Sequence, residues 1–462
     1  SIGADGTGQT LGAANHTVTL GAGNDSVFFG ANLNVYDTVD GGAGTDTLGV
    51  SAAVSNAIMT NVKGFEVVRF DVSGADITQD AGITSLAGLN YAVTGANVLT
   101  LNNVASAITT TIVGTTTTLT QVLKDSSGLS DALNIGFQAT GAATLTTLTN
   151  IAGLETLNLS TGTGTATHVI TNDNVTAAHV ITGAANLTIT NALAATSINA
   201  TAMTGKLTAT AGNTGTNFQL GTAADTVTLG TGADTVNAGT GNDTINFGST
   251  GITAFGADVV AGGAGNDIFN FSATAGATGG STTYAAFATI TDFTVGTSTS
   301  ATDFLQFSAA DTNFGATGAG GAATGLSKGA TAAGLTAADA MVVQSVAKDA
   351  AAAALTANVS LIKLTTGVAF TTDIFTTAKA AIGTASVTGL AANGVYLVSM
   401  FDTTNNKAVF FTANTGTSAN NDTALSTADF ATGAAVHVVG VVNMTATDYA
   451  AFSAVNLAAA SA

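Results

Sequence analysis

Short runs in which apolar and polar residues alternate recur along most of the chain, and few carry a helical period. Between residues 50 and 210 these runs are rich in Thr, Val, Leu, Ile and Asn, with Gly, Asn and Ala between them. That pattern predicts many short strands joined by tight turns. Two runs repeat each other: Gly64-Phe65-Glu66-Val67-Val68-Arg69-Phe70 and Gly153-Leu154-Glu155-Thr156-Leu157-Asn158-Leu159. In each, a glycine-apolar turn precedes a glutamate and then a period-2 strand. Glu66 and Glu155 could be a catalytic carboxylate pair, but equivalent places in a repeat favour strand-initiating residues that cap backbone amides. A second echo, His168-Val169-Ile170-Thr171 and His179-Val180-Ile181-Thr182 followed by Asn186 to Thr190, reads as successive rungs of one sheet. The two histidines could form a metal pair, yet no further ligand stands at a recognisable spacing, so surface or inter-rung positions are expected.

A stricter period runs through two blocks. Asp225, Asp234 and Asp243 are nine residues apart, Asp258 and Asp267 repeat that spacing, and Asp25 and Asp46 share the same context. Two positions after each aspartate stands an apolar residue: Val27, Leu48, Val227, Val236, Ile245, Val260 or Phe269. Glycine stands two before at Gly23, Gly44, Gly232, Gly241, Gly256 and Gly265, and four before at Gly21, Gly42, Gly221, Gly230, Gly239 and Gly263. Asp37 precedes Asp46 by nine but lacks the glycines, and His16 stands where an earlier copy would place its aspartate. The unit alternates a six-residue turn with a three-residue strand, so two copies make one flattened turn of about 18 residues. Asp225 and Asp243 then stack on one side and Asp234 on the other. Glycine lets the turn take left-handed backbone, and carboxylates with turn carbonyls make an oxygen cage suited to Ca²⁺.

Composition narrows the class. The 462 residues hold 56 Gly and no Pro, Cys or Trp, which excludes a disulfide framework, a cysteine zinc site and a thiol nucleophile. Only 8% are charged, with 28 acidic against 9 basic residues and a net charge of −19, so a nucleic-acid partner is excluded. Of the acidic residues only Glu66 and Glu155 are glutamate, and that bias toward the shorter side chain points to turns and fixed ligand geometry. No apolar run is long enough for a transmembrane helix. The chain opens at Ser1 without a signal-type segment, as expected of part of a longer or processed protein.

The stretches 21–27, 41–48 and 262–269 resemble the RTX calcium-binding nonapeptide family. Flanking a strand-repeat region, these blocks are similar to those of RTX-bearing bacterial surface-layer proteins. The resemblance implies a right-handed parallel β-solenoid with calcium β-roll segments, which tiles into a lattice outside the cell. The expected division is an RTX block at 1–49, a strand-repeat solenoid at 50–210, a second RTX block with capping strands at 211–310, and a linker with a small α+β region at 311–462. Ile290 to Phe293 and Asp303 to Phe307 resemble the strand pair that closes an RTX roll, and 311–335 reads as linker. A helix is expected from Thr336 and Asp339 to about Leu355, with similar starts at Ser426/Asp429 and Thr445/Asp448. Asn405-Asn406 predicts a hairpin between strands 395–401 and 407–413. The last residues, from Val441 to Ala458, resemble a type I secretion signal.

Catalysis is not expected. There is no H-E-x-x-H, and the one G-x-S-x-G, Gly325 to Gly329 around Ser327, lies in linker-like sequence without the strand that a nucleophile elbow needs. Two functions from different classes remain: a self-assembling, calcium-dependent lattice subunit, or an RTX adhesin or biofilm-matrix protein that binds another surface. The lattice reading takes as partners other copies of the chain, with a cell-surface glycan or lipopolysaccharide engaged through a region outside it. Few aromatics and no Trp favour the lattice.

Overall fold

The computed structural model describes residues 9–247, 257–271, 277–278, 287–296, 303–307, 342–354, 359–370, 373–390, 395–414, 424–430 and 436–458. The chain divides into two compact units, Ser1–Thr210 and Ala211–Ala462. Both are mainly β.

In most of the first unit a strand pairs in parallel with the next strand but one. Ser26–Gly30 pairs with Thr47–Val50 and that with Val67–Asp71, while Thr17–Thr19 pairs with Thr38–Asp40 and that with Val62–Lys63. The chain therefore runs along one face, turns, runs along the other and returns one rung further on, which is a β-solenoid. Alternation decides what fills it. Val27, Leu48 and Val68 stand in register on one face and Val18 and Val39 on the other, all buried. Successive side chains in a strand point to opposite faces, so every second residue feeds a thin apolar interior.

Two departures from the expected short strands have local causes. Asn90–Val104 and Thr109–Leu123 each run 15 residues. The first pairs through residues 90–94 with Val67–Asp71 and through residues 99–102 with Ile77–Asp80, so one continuous strand serves both faces. It bends at Gly95, at φ +112°, where a Cβ would meet the Ser73 backbone. The histidine echo also differs from expectation. Thr167–Asp173 pairs with Asn186–Ala192, but Ala178–Gly183 pairs with Thr156–Ser160 and Ser197–Met203. The two histidine strands lie on opposite faces, and their short spacing is a half turn.

The second unit opens with tighter rungs. Asn217–Gln219, Thr235–Asn237 and Val259–Ala261 line one face, and Thr226–Thr228, Thr244–Phe247 and Ile268–Phe271 the other. The strand pair expected to close the roll, described as Thr289–Ile290 and Phe304–Phe307, instead extends it. Thr289–Ile290 pairs with Val259–Ala261 and then with Val436–Asn443; Phe304–Phe307 pairs with Ile268–Phe271 and then with Leu457–Ala458. The chain's last strands thus continue both faces of the roll.

The expected helix toward Leu355 is overturned over its described part: Val342–Val346 is a strand paired with Val359–Leu364. Three valines in five residues suit a pleated surface, and that pairing outweighs the helix preference of the alanines. Helix instead forms at Ile374–Ile382, where the Asp373 carboxylate accepts the Thr376 N–H at 2.6 Å. The hairpin of Val395–Asp402 and Lys407–Asn414 forms as expected, with Asn406 at φ +52°. Thr445 and Asp448 make a reciprocal capping box on Ala446–Ala451, and Ser426/Asp429 start a 3₁₀ turn, described over Thr427–Phe430. Ile362, Ile374, Ile382, Met400, Phe411 and Phe430 pack together as the core of this region. Ser327, the expected linker and the start of the expected helix lie outside the described residues.

Candidate metal centre

The nonapeptide apolar positions all point inward: Val27, Leu48, Val227, Val236, Ile245, Val260 and Phe269 are at most 2% exposed. That fixes the aspartate two residues earlier at the rim of the solenoid, where strand gives way to turn. There the carboxylates form ladders. Asp225 N–H donates to Asp243 Oδ1 at 2.7 Å, 18 residues on, and Asp243 N–H to Asp267 Oδ1 at 2.9 Å, 24 on. On the opposite rim Thr216 N–H donates to Asp234 Oδ1 and Asp234 N–H to Asp258 Oδ1. In the first unit Asp25 N–H donates to Asp46 Oδ1 at 2.7 Å. Asp46, Asp234, Asp243, Asp258 and Asp267 therefore each spend one oxygen on the backbone of the preceding rung.

The second oxygen turns under its own six-residue turn. Asp25 Oδ2 accepts the Gly21 N–H and Asp234 Oδ2 the Gly230 N–H. Oδ2 of Asp46, Asp258 and Asp267 is buried with no hydrogen-bond partner among the described residues. Burial pushes the carboxyls up: Asp258 to about 7, with Asp234 and Asp267 raised too. Anionic oxygens out of water without donors are costly unless a cation meets them.

Turn geometry completes the setting. Gly42 and Gly44, Gly239 and Gly241, and Gly263 and Gly265 repeat one pair of conformations, φ near +90° and then near +145°. A Cβ on any of these six would strike a carbonyl of the turn below, that of Gly21, Gly23, Gly221, Ala223, Gly239 or Gly241. Turn carbonyls thus project along the stack toward the next turn. Gly21, Gly23, Gly221, Gly230 and Gly232 do not take the expected left-handed backbone. Gly230 and Gly232 are instead required by close approach to Gly212 and Gly215. Among the described residues no three carboxylates or imidazoles converge as a metal site. A cation here would draw on one or two carboxylates and complete its shell from backbone carbonyls, an all-oxygen donor set that fits Ca²⁺.

Other residues join the ladders. Glu66 Oε2 accepts the Asp46 N–H and Glu155 Oε2 the Asp131 N–H, each at 2.7 Å, so the glutamates cap backbone amides as expected. Asp37 is buried and accepts from His16 N–H at 2.7 Å and Asn34 N–H at 2.9 Å, a ladder rung without its glycine turn. Asp303, absent from the sequence expectation, accepts the Asp267 N–H at 3.1 Å and the Thr294 N–H at 2.6 Å, and burial raises it to about 6. Its apolar Leu305 two residues on was the available signal; the missing glycines hid it.

The histidines are structural. His168 is buried, stacks on Phe137 at 4.8 Å and accepts the Ala143 N–H through Nδ1; burial pushes it down, toward the neutral form. His179 is enclosed with Nδ1 at 2.8 Å from the Ala177 carbonyl and Nε2 at 2.8 Å from Asp173 Oδ2. A carbonyl only accepts, so Nδ1 donates to Ala177, and Nε2 is taken up by the Asp173 carboxyl, which leaves neither nitrogen free for a metal.

Stacked parallel rungs, carboxylate ladders on both rims and glycine turns with carbonyls along the axis define a β-solenoid with calcium-type turns. The family model of the RTX calcium-binding nonapeptide repeat (4 copies) matches residues 36–48, 220–249 and 252–273, so the solenoid carries RTX repeats, and such repeats imply Ca²⁺ binding. No curated protein matches the chain.

Proposed function

We propose that the chain is a structural subunit of a calcium-dependent, self-assembling bacterial surface layer, secreted and folded by Ca²⁺ outside the cell. Asp25, Asp46, Asp225, Asp234, Asp243, Asp258 and Asp267 supply the carboxylates, with turn carbonyls. The carrying observation is the ladder itself: aspartate oxygens in both units that are buried without donors among the described residues, beneath turns whose carbonyls face the next rung. Sparsely charged faces support the lattice reading. Asn134 and Asn158 at 2.9 Å, and Asn246 and Asn270 at 2.9 Å, are side-chain ladders that repeat without charge. A protein with 8% charged residues has little but its net −19 to hold copies apart, and bound Ca²⁺ lowers that charge. Among the described residues no helix is long and apolar enough to cross a membrane. Electron microscopy of the purified chain with Ca²⁺ tests the reading. Regular sheets support a lattice subunit; discrete rods at all concentrations point to an adhesin.

A further inference from the structure

Asp292 lies outside the nonapeptide pattern, yet it sits on the last glycine turn of the roll. Its Oδ1 accepts the Gly262 N–H at 3.0 Å and its Oδ2 the Gly263 N–H at 2.8 Å. The next residue, Phe293, is buried between Phe269 and Phe452, with ring centroids 6.0 Å from each, and so pins the Asp292 segment over this turn. Beneath the turn is Asp267, fully buried; a Cβ on Gly262 would run into its Oδ2, and that oxygen has no hydrogen-bond partner among the described residues. The Gly262 residue is therefore flanked by an unpartnered buried carboxylate oxygen and by a second carboxylate that binds its amide. Asp303 accepts the Asp267 N–H and so continues the ladder past this carboxylate. In the repeats the next nonapeptide turn would cover this place. Here the Asp292 segment covers it with an anion, the opposite of what like charges favour unless a cation lies between them.

We propose that this end of the roll is a further Ca²⁺ site, with Asp267 and Asp292 as its carboxylates and turn carbonyls as its remaining ligands. Asp292 is half-buried and lines an open groove with Asn405, Asn406, Lys407 and Asp448, which gives the ion a path from solvent. The Lys407 ammonium in that groove donates to Asn443 Oδ1 at 2.6 Å. Because Thr289–Ile290 also pairs with Val436–Asn443, the ion ties the roll to the chain's last strands. The inference rests on the reading that the RTX turns bind Ca²⁺.

The test counts Ca²⁺ bound to the full chain by equilibrium dialysis, for the wild type, Asp292→Asn and Asp448→Asn. Asn keeps one acceptor oxygen, which serves one of the Gly262 and Gly263 amides, while the second hydrogen bond is lost with the charge, so a measurement on the unaltered chain stands beside the variant. Asp292→Asn should bind one ion fewer, and the groove control Asp448→Asn should match the wild type. Hydrogen exchange on the wild type is the second measurement. Added Ca²⁺ should protect the amides of 262–263 and 289–294 as well as those of 221–243. An unchanged ion count in Asp292→Asn, or protection confined to 221–243, overturns this inference alone. No Ca²⁺ uptake by the wild type overturns it together with the reading beneath it.

Discussion

Acid should partly replace calcium in this fold. Burial raises Asp258 to about 7 and Asp303 to about 6 from an ordinary 3.8, and moves Asp234 and Asp267 in the same direction. A carboxyl with a higher pKa folded than unfolded binds its proton more tightly in the fold. The ion-free fold therefore loses stability progressively as the pH rises from about 4 through about 6 and about 7. At about 1.4 kcal/mol per pH unit, going from pH 8 to pH 5 returns about 3 kcal/mol at Asp258 and about 1 kcal/mol at Asp303. That is a large part of a typical net stability of about 5–15 kcal/mol. Exposed carboxylates held low do not oppose it, because they stay ionised at pH 5: Asp40 by Lys63, Asp80 by Asn103, Asp125 by Ser127 and Asp349 by the Thr384 amide. Circular dichroism in EGTA should show β signal rising as the pH falls from 8 to 5. Asp258→Asn, neutral at every pH, should already be more folded than the wild type in EGTA at pH 8, yet need more Ca²⁺ to saturate. A β signal that falls steadily on acidification in EGTA, or an Asp258→Asn chain less folded than wild type there, refutes the burial argument.

Gly265→Ala should cost at least about 2 kcal/mol, because the residue sits at φ +149° and a Cβ would strike the Gly241 carbonyl; thermal melts in Ca²⁺ check it, and a change below about 0.5 kcal/mol contradicts it. Glu66→Gln should be within about 0.5 kcal/mol of wild type, since the amide oxygen still accepts the Asp46 N–H, whereas Glu66→Ala should cost about 1–2 kcal/mol. Ser327→Ala should leave folding and assembly unchanged and remove no esterase signal.

The repeats were legible because their chemistry is local. Glycine at fixed offsets from an aspartate, with an apolar residue two on, states the turn, rim and interior in nine letters, and Val227 and Phe269 lie where that code puts them. The ladder's outer rungs were not legible, because an acceptor is defined by what stacks on the next turn. Glu66 completes the ladder with a longer side chain, and Asp303 joins it after a turn without glycines. The same non-local cause hid the His179–Asp173 pair and the use of Val436–Asn443 to continue the roll. At Val342–Val346 an alanine-rich flank suggested helix, and only the partner strand Val359–Leu364 reveals the outcome.

In the proposed function Ca²⁺ makes the fold and then the assembly. Circular dichroism and light scattering on one EGTA-treated sample, as Ca²⁺ is added back at pH 8, test it most directly. The account predicts little β signal at the start and a cooperative rise at about 10⁻⁴–10⁻³ M, the range of extracellular calcium modules, with scattering following the fold. Full β signal and full scattering already present in EGTA would contradict it.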